Sequence, residues 1–311
     1  MLKSSRCARM MDRRGGSADG IKAPLTGAAD QTGIVLANLP AGPRESRAAF
    51  AVAIALLGMA VIVAPFASVQ LPRSGAWIPI TNTYIFLADL VTWVLLISQF
   101  DIVRWHALLV VASGYLFTAM MAVPLLLTFR AHSRKPASLV PVCRPMAWIS
   151  LFWVSGYPLA ASGYALLKNR EPGALASHGS TRTGVAASVA VSIAIVLVLN
   201  WIATAGEPYL PKLFVDGSRA AVSLRHVGAL LLLPNAVALL LLWLRRRSVL
   251  GLWFMVVLCG SMANALVGWI LTPGRFSLAF YAGRSFLVIT ATVLLNDPVR
   301  AFGGLYFRPE P

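Results

Sequence analysis

The sequence predicts an all-α integral membrane protein, a bundle of eight transmembrane helices. Three observations carry that prediction. Of the 311 residues, 58% are hydrophobic and only 12% charged, with a mean hydropathy of +0.74, whereas a soluble domain has roughly 25% charged residues. The apolar residues fall in runs of about 20, the length a helix needs to cross a hydrocarbon core. The 27 Lys and Arg outnumber the 11 Asp and Glu, for a net charge of +16, and they sit largely between the apolar runs, where basic residues fix membrane orientation. A soluble enzyme, a nucleic-acid binder and a secreted disulfide scaffold are thereby excluded. Cys7, Cys143 and Cys259 are far apart and form no CxxC, so neither a disulfide framework nor a zinc site is signalled.

Residues 1–47 differ from the rest. Eight basic residues (among them Lys3, Arg13, Arg14 and Arg47) and four acids stand among Gly, Ala and Ser. The one apolar stretch, 34–39, is too short for a signal-peptide core, so a disordered basic cytoplasmic tail is expected. Spans are then expected at 48–71, 77–100, 106–129, 146–167, 185–205, 227–244, 249–271 and 276–295, making 48–296 the membrane domain and 297–311 a short cytoplasmic tail. Pro65, Pro124, Pro158 and Pro234 fall inside spans, where neighbouring helices can satisfy the backbone groups a proline frees. Only 101–105 separate the second and third spans, so a tight hairpin joins them.

With the N-terminus inside, the inner segments hold 17 Lys and Arg, including Arg245, Arg246 and Arg247, and the outer segments hold 9. Both ends are therefore expected in the cytoplasm.

Ionisable residues in a span are functional suspects, because a charge there is costly unless paired or hydrated. Asp89 lies near the middle of the second span. At 100° per residue it shares a stripe with Asn82, Thr92 and Gln99, a face that must meet protein or water. Arg284 is the other intramembrane charge, close to Tyr281 in the eighth span. These six residues form the candidate polar core, either a ligand site or a packing face held by hydrogen bonds. The second and eighth spans run in the same direction with Asp89 and Arg284 at comparable depth, and they are expected to be neighbours, with the two charges in direct or water-mediated contact. His106, His132, His178 and His226 have no metal-ligand spacing, and no nucleotide-binding or hydrolase motif is present. No catalytic residue, metal or cofactor is expected. The outer loop at 206–226, with Glu207, Pro208 and Pro211, is either a cap over a pocket or a plain connection.

Several stretches together carry a recognisable pattern. They are Phe-Leu-Ala-Asp at 86–89, Gln-Phe-Asp-Ile-Val-Arg at 99–104, and 106–119 from His106 to Ala119. Phe152-Trp153 follows, then Gly-Tyr-Pro-Leu at 156–159 and Gly-Tyr-Ala-Leu-Leu-Lys at 163–168. The remaining pieces are 247–259, Gly274-Arg275, and Phe-Tyr-Ala-Gly-Arg at 280–284. Together these stretches resemble the MASE4 family of bacterial membrane-associated sensor domains over roughly 48–296, which implies a place in a bacterial inner membrane. The resemblance also implies an integral membrane sensory module of the kind usually found N-terminal to a cytoplasmic diguanylate cyclase or histidine kinase domain. Three positions depart from the family pattern: Leu125 and Val154 stand where histidines are common, and Asn264 where an aspartate is usual. The chain ends soon after the last span, Asn296-Asp297-Pro298 is expected to interrupt the helix there, and no GGDEF motif or kinase box is present.

The expected function is thus a non-catalytic membrane sensor module, stand-alone or truncated. Its expected partners are the lipid bilayer and either a second copy or a separate signalling protein, with no nucleic acid. The alternative is a small-solute or ion transporter using the polar stripe around Asp89. Inverted repeats would support it, but 48–167 and 185–295 show no convincing self-similarity.

Overall fold

The computed structural model describes the backbone of residues 42–72, 74–134, 140–168, 181–214, 219–245 and 248–306. It describes side chains over the same residues except 102–103, 129–134, 140–144 and 296–306. The expected basic tail up to residue 41, Arg246, Arg247 and residues 307–311 lie outside the described residues.

Eight long helices form among the described residues: α1 (Pro43–Val63), α2 (Trp77–Val103), α3 (His106–Arg134), α4 (Val140–Leu167), α5 (Thr181–Thr204), α6 (Val222–Leu244), α7 (Val249–Asn264) and α8 (Leu278–Tyr306). β structure there is confined to three isolated bridges. α1 starts earlier than its apolar run because Pro43 occupies the first helical position and the Glu45 carboxylate accepts from the Gly42 N–H at 3.1 Å, an arrangement suited to a helix start. It gives way to one 3₁₀ turn at Ala64–Phe66, where Pro65 cannot donate to the helical ladder. The hairpin between α2 and α3 is as tight as expected: Arg104 takes the left-handed conformation at φ 54°, and α3 begins two residues later.

Seven of these helices are long and apolar enough to cross a membrane, and α4 is the exception. Its sequence explains why. Ser150, Trp153, Tyr157, Tyr164 and Lys168 recur at helical spacing and fall within about 60° of one another at 100° per residue. α4 packs this face into the bundle, against α3, α5, α6 and α7, and leaves Leu159 and Leu166 exposed on its other side. The lipid-facing helices show the opposite pattern: Ile54, Val61 and Ile62 of α1 and Leu197, Val198 and Trp201 of α5 are exposed, which is stable only in an apolar solvent.

α8 does not stop where expected. Its backbone stays helical through Asn296, Asp297 and Pro298 to Tyr306, because an internal proline removes one hydrogen bond but neighbouring turns can carry the helix past it. At 1.5 Å per residue its 29 residues span about 44 Å, more than the roughly 30 Å of hydrocarbon.

Three loops are knitted together at one end of the bundle. The α1–α2 loop meets the α7–α8 loop through the Leu71 N–H, which donates to the Phe276 carbonyl at 2.9 Å, and the Leu278 N–H, which donates to Val69 at 2.8 Å. The α5–α6 loop joins through the Ala220 N–H, which donates to the Pro273 carbonyl at 2.9 Å. Phe276 holds its place at φ 65°, a left-handed conformation unusual for a bulky residue. α7 also ends unusually, passing at Ala265–Ile270 into a π-helical turn, a feature that often marks functional positions.

Candidate functional site

Two buried polar clusters lie in the bundle, and α4 contributes to both. The first surrounds Arg284 on α8. Its Nη1 donates to Asn82 Oδ1 on α2 at 2.8 Å, and its Nη2 donates to Ser150 Oγ on α4 at 2.9 Å. The guanidinium carbon lies 5.2 Å from the centre of the Trp153 ring, within cation–π range. Asn82, Ser150, Trp153 and Arg284 are all buried.

Close helix contact sets this position. Gly283, the residue before Arg284, comes so near α7 that a Cβ there would lie 2.9 Å from the Gly268 Cα and 2.8 Å from Asn264 Oδ1. Small residues of this kind let membrane helices approach, and the approach brings Arg284 beside the π-turn. A cavity of about 60 Å³ opens at this point, lined by Arg284, Ser150, Asn264, Val154, Trp269 and Phe214 among others. Phe214 belongs to the α5–α6 loop and carries the Arg275 guanidinium 5.3 Å from its ring centre. The loop at 206–226 therefore does help to cap a pocket.

The second cluster surrounds Asp89. Tyr157 on α4 donates its hydroxyl to Asp89 Oδ2 at 3.0 Å, and the fully buried Thr118 of α3 lies alongside both groups. Tyr115 packs edge-on against Tyr157, with ring centres 6.1 Å apart, and stacks on Phe254 of α7 at 6.2 Å.

The six residues expected in the polar core do not act as one group. Asn82, Asp89, Thr92 and Arg284 are buried and Gln99 is half-buried, but Thr92 spends its hydroxyl on its own helix, donating to the Ala88 carbonyl at 2.8 Å. Tyr281 belongs to the loop cap: its hydroxyl donates to the Pro72 carbonyl at 3.1 Å and accepts from the Ser74 N–H at 3.2 Å. α2 and α8 are neighbours, as expected. No direct contact joins Asp89 and Arg284: Arg284 donates to Asn82 and Ser150, and Asp89 accepts from Tyr157. Arg284 meets α2 at Asn82, seven positions or about 10 Å along the helix from Asp89.

Sequence reasoning missed Ser150, Trp153, Tyr157, Tyr115 and Thr118. The available signal was the recurrence of Ser150, Trp153, Tyr157, Tyr164 and Lys168 along one face of α4. At the far end of that face, Lys168 Nζ donates to Ser248 Oγ at 2.9 Å, with the Tyr164 hydroxyl 3.1 Å from the same oxygen. Burial pushes the Lys168 ammonium down to about 8 from an ordinary 10.5. Ser248 also caps α7, accepting from the Gly251 N–H at 3.2 Å.

The Arg284 and Asp89 clusters are built to bind and orient through hydrogen bonds. Among the described residues no three His, Cys, Asp or Glu gather into a metal-ligand set. Val154 and Asn264, where histidine and aspartate were the residues to expect, line the Arg284 cavity, while Leu125 is fully buried in the apolar cluster beside it.

No curated protein and no solved structure matches the chain. A family model does, that of the membrane-associated sensor, integral membrane domain, MASE4, over residues 72–296. The matched stretch runs from the end of the α1–α2 loop through most of α8 and contains both polar clusters and the capped cavity, so the chain belongs to the MASE4 family of membrane-associated sensors.

Proposed function

We propose that this chain is a non-catalytic membrane sensor module in a bacterial inner membrane, with both ends in the cytoplasm, whose signal enters at the Arg284 cluster and leaves along α8. The observation that carries this reading is α8 itself. One helix holds Arg284 in the buried cluster near its start, then continues to Tyr306, eleven residues beyond the end of its apolar span at Leu295. A change at Arg284 that shifts or turns α8 is felt outside the membrane, because a packed helix moves as a rigid element. Arg284 is also tied to α2 and α4, so its occupancy biases how three helices sit together.

The excess of Lys and Arg in the inner segments supports the orientation. The output belongs to another protein or domain, since the 311 residues hold no nucleotide-binding motif. Purified protein, free of other cyclases and kinases, is expected to make no cyclic di-GMP from GTP and not to phosphorylate itself with ATP. Turnover of either nucleotide overturns the non-catalytic reading.

A further inference from the structure

We infer that the capped cavity beside Arg284 is a binding site for a small planar monovalent oxyanion, and that its ligand is a short-chain monocarboxylate. The assignment rests on the sensor reading in one respect only, that a ligand here is a signal.

The charge balance of the site is the starting point. Arg284 is buried, and its guanidinium remains a cation with five donors. Two of those donors go to neutral oxygens, on Asn82 and Ser150. No carboxylate forms an ion pair with it among the described residues, and Asp89, the other charged residue of the bundle interior, is bound by Tyr157. Taking an ion out of water costs several kcal/mol unless a counter-charge and hydrogen bonds compensate.

The unpartnered groups point the same way. Buried polar atoms with no partner include Asn82 Nδ2, Trp153 Nε1 and Asn264 Nδ2. All three are donors, and all three residues belong to the Arg284 cluster or its cavity wall. Buried donors without partners are rare in folded proteins. Asn264 stands in the cavity wall beside Arg284, while Asn82 and Trp153 flank the guanidinium outside the wall; a buried cation with an unpartnered donor next to it is short of acceptors, which an anion supplies and a cation cannot.

Shape narrows the ligand. About 60 Å³ holds a few water-sized groups, which excludes nucleotides and sugars. The planar guanidinium fork matches the two oxygens of a carboxylate. Most of the remaining wall is apolar, from Met146, Val154, Trp269, Phe280 and Leu287, and suits a short hydrocarbon tail better than a second charged oxygen.

The test is thermal unfolding of the full chain in detergent, titrated with propionate, acetate, nitrate or chloride at constant ionic strength. Propionate is expected to raise the melting temperature saturably, with half-saturation in the millimolar range, and chloride is not. Arg284→Lys keeps the charge but loses the fork, so it is expected to weaken propionate binding about tenfold or more. Asn264→Leu leaves Arg284 in place and is expected to weaken binding by less, while lipid-facing Val61→Ala leaves it unchanged. Nitrate with the stronger response reassigns the ligand to an inorganic oxyanion and overturns the carboxylate. The whole proposal is overturned if wild type shows no saturable response, if chloride equals propionate, or if both cavity variants bind as wild type. Binding is read on purified protein without any output, so its failure is separate from failure of the sensor reading.

Discussion

Arg284 and Asn82 meet at 2.8 Å across the contact of α8 with α2, two helical turns from Asp89 on the same helix. Two intramembrane charges are thus carried by two separate sets of partners, with α4 supplying Ser150 to one and Tyr157 to the other. Arg284 couples α2, α4 and α8, while Asp89 couples α2, α3 and α4.

That separation predicts energetic independence. Asp89→Asn and Arg284→Gln are each expected to destabilise the protein, by about 1–3 kcal/mol for a buried group that loses its hydrogen-bond complement. Their effects are expected to add within about 0.5 kcal/mol, as for sites with no shared partner. By contrast, Arg284→Gln and Asn82→Ala share one hydrogen bond and are expected to cost less together than the sum. Thermal unfolding of the two cycles in detergent checks this, and strong coupling between Asp89 and Arg284 would contradict the separate clusters.

The glycine contact beneath Arg284 predicts a sharp contrast between two equal substitutions. Gly283→Ala puts a methyl 2.9 Å from the Gly268 Cα and is expected to cost about 1–3 kcal/mol by overpacking. Gly58→Ala, on the lipid-facing side of α1, meets nothing within 4 Å. It is expected to be neutral or slightly stabilising, because Ala is the better helix former by roughly 1 kcal/mol. Melting temperatures of the two variants decide the matter.

Lys168 predicts a pH dependence. Its ammonium titrates near 8 in the folded chain, lowered by burial, against 10.5 ordinarily. Between about pH 8 and 10.5 the unfolded chain therefore binds the proton more than the folded one does, and stability contributed by this group rises with pH through that window. Below about pH 8 the unfavourable contribution is constant. Lys168→Met is expected to flatten the slope in thermal unfolding scans across this window while leaving other parts of the profile alone.

Orientation is directly accessible. Reporter fusions at residue 20 and residue 305 are both expected to report the cytoplasm; a periplasmic signal at either position contradicts the crossing count or the orientation, and at residue 305 it reverses the proposed route of the signal.

Much of the fold was legible because lipid imposes a simple rule: runs of about 20 apolar residues are helices. The rule located all eight helices, and the cost of two charges at matching depth suggested the adjacency of α2 and α8. It also singled out Asn82, Asp89 and Arg284, because a charge or amide in hydrocarbon demands a partner. It could not choose those partners. Ser150, Trp153 and Tyr157 carry no formal charge, and their shared face on α4 emerges only when spacing along that helix is compared with its neighbours. The direct pairing of Asp89 with Arg284 failed on a two-turn offset along one face of α2, which a rough reading of depth along the membrane normal does not resolve. Pro298 misled for a related reason, since a proline's local penalty is smaller than the cooperative preference of a long helix.

The central claim is that the Arg284 cluster controls what α8 delivers outside the membrane. The most direct measurement joins the chain through Tyr306, in helical register, to the catalytic domain of a diguanylate cyclase and reads cyclic di-GMP in cells. Arg284→Lys, Asn82→Ala and Ser150→Ala are each expected to shift the output severalfold from wild type at equal membrane abundance, with Val61→Ala unchanged. Unaltered output in all three cluster variants, at equal abundance, would contradict the account.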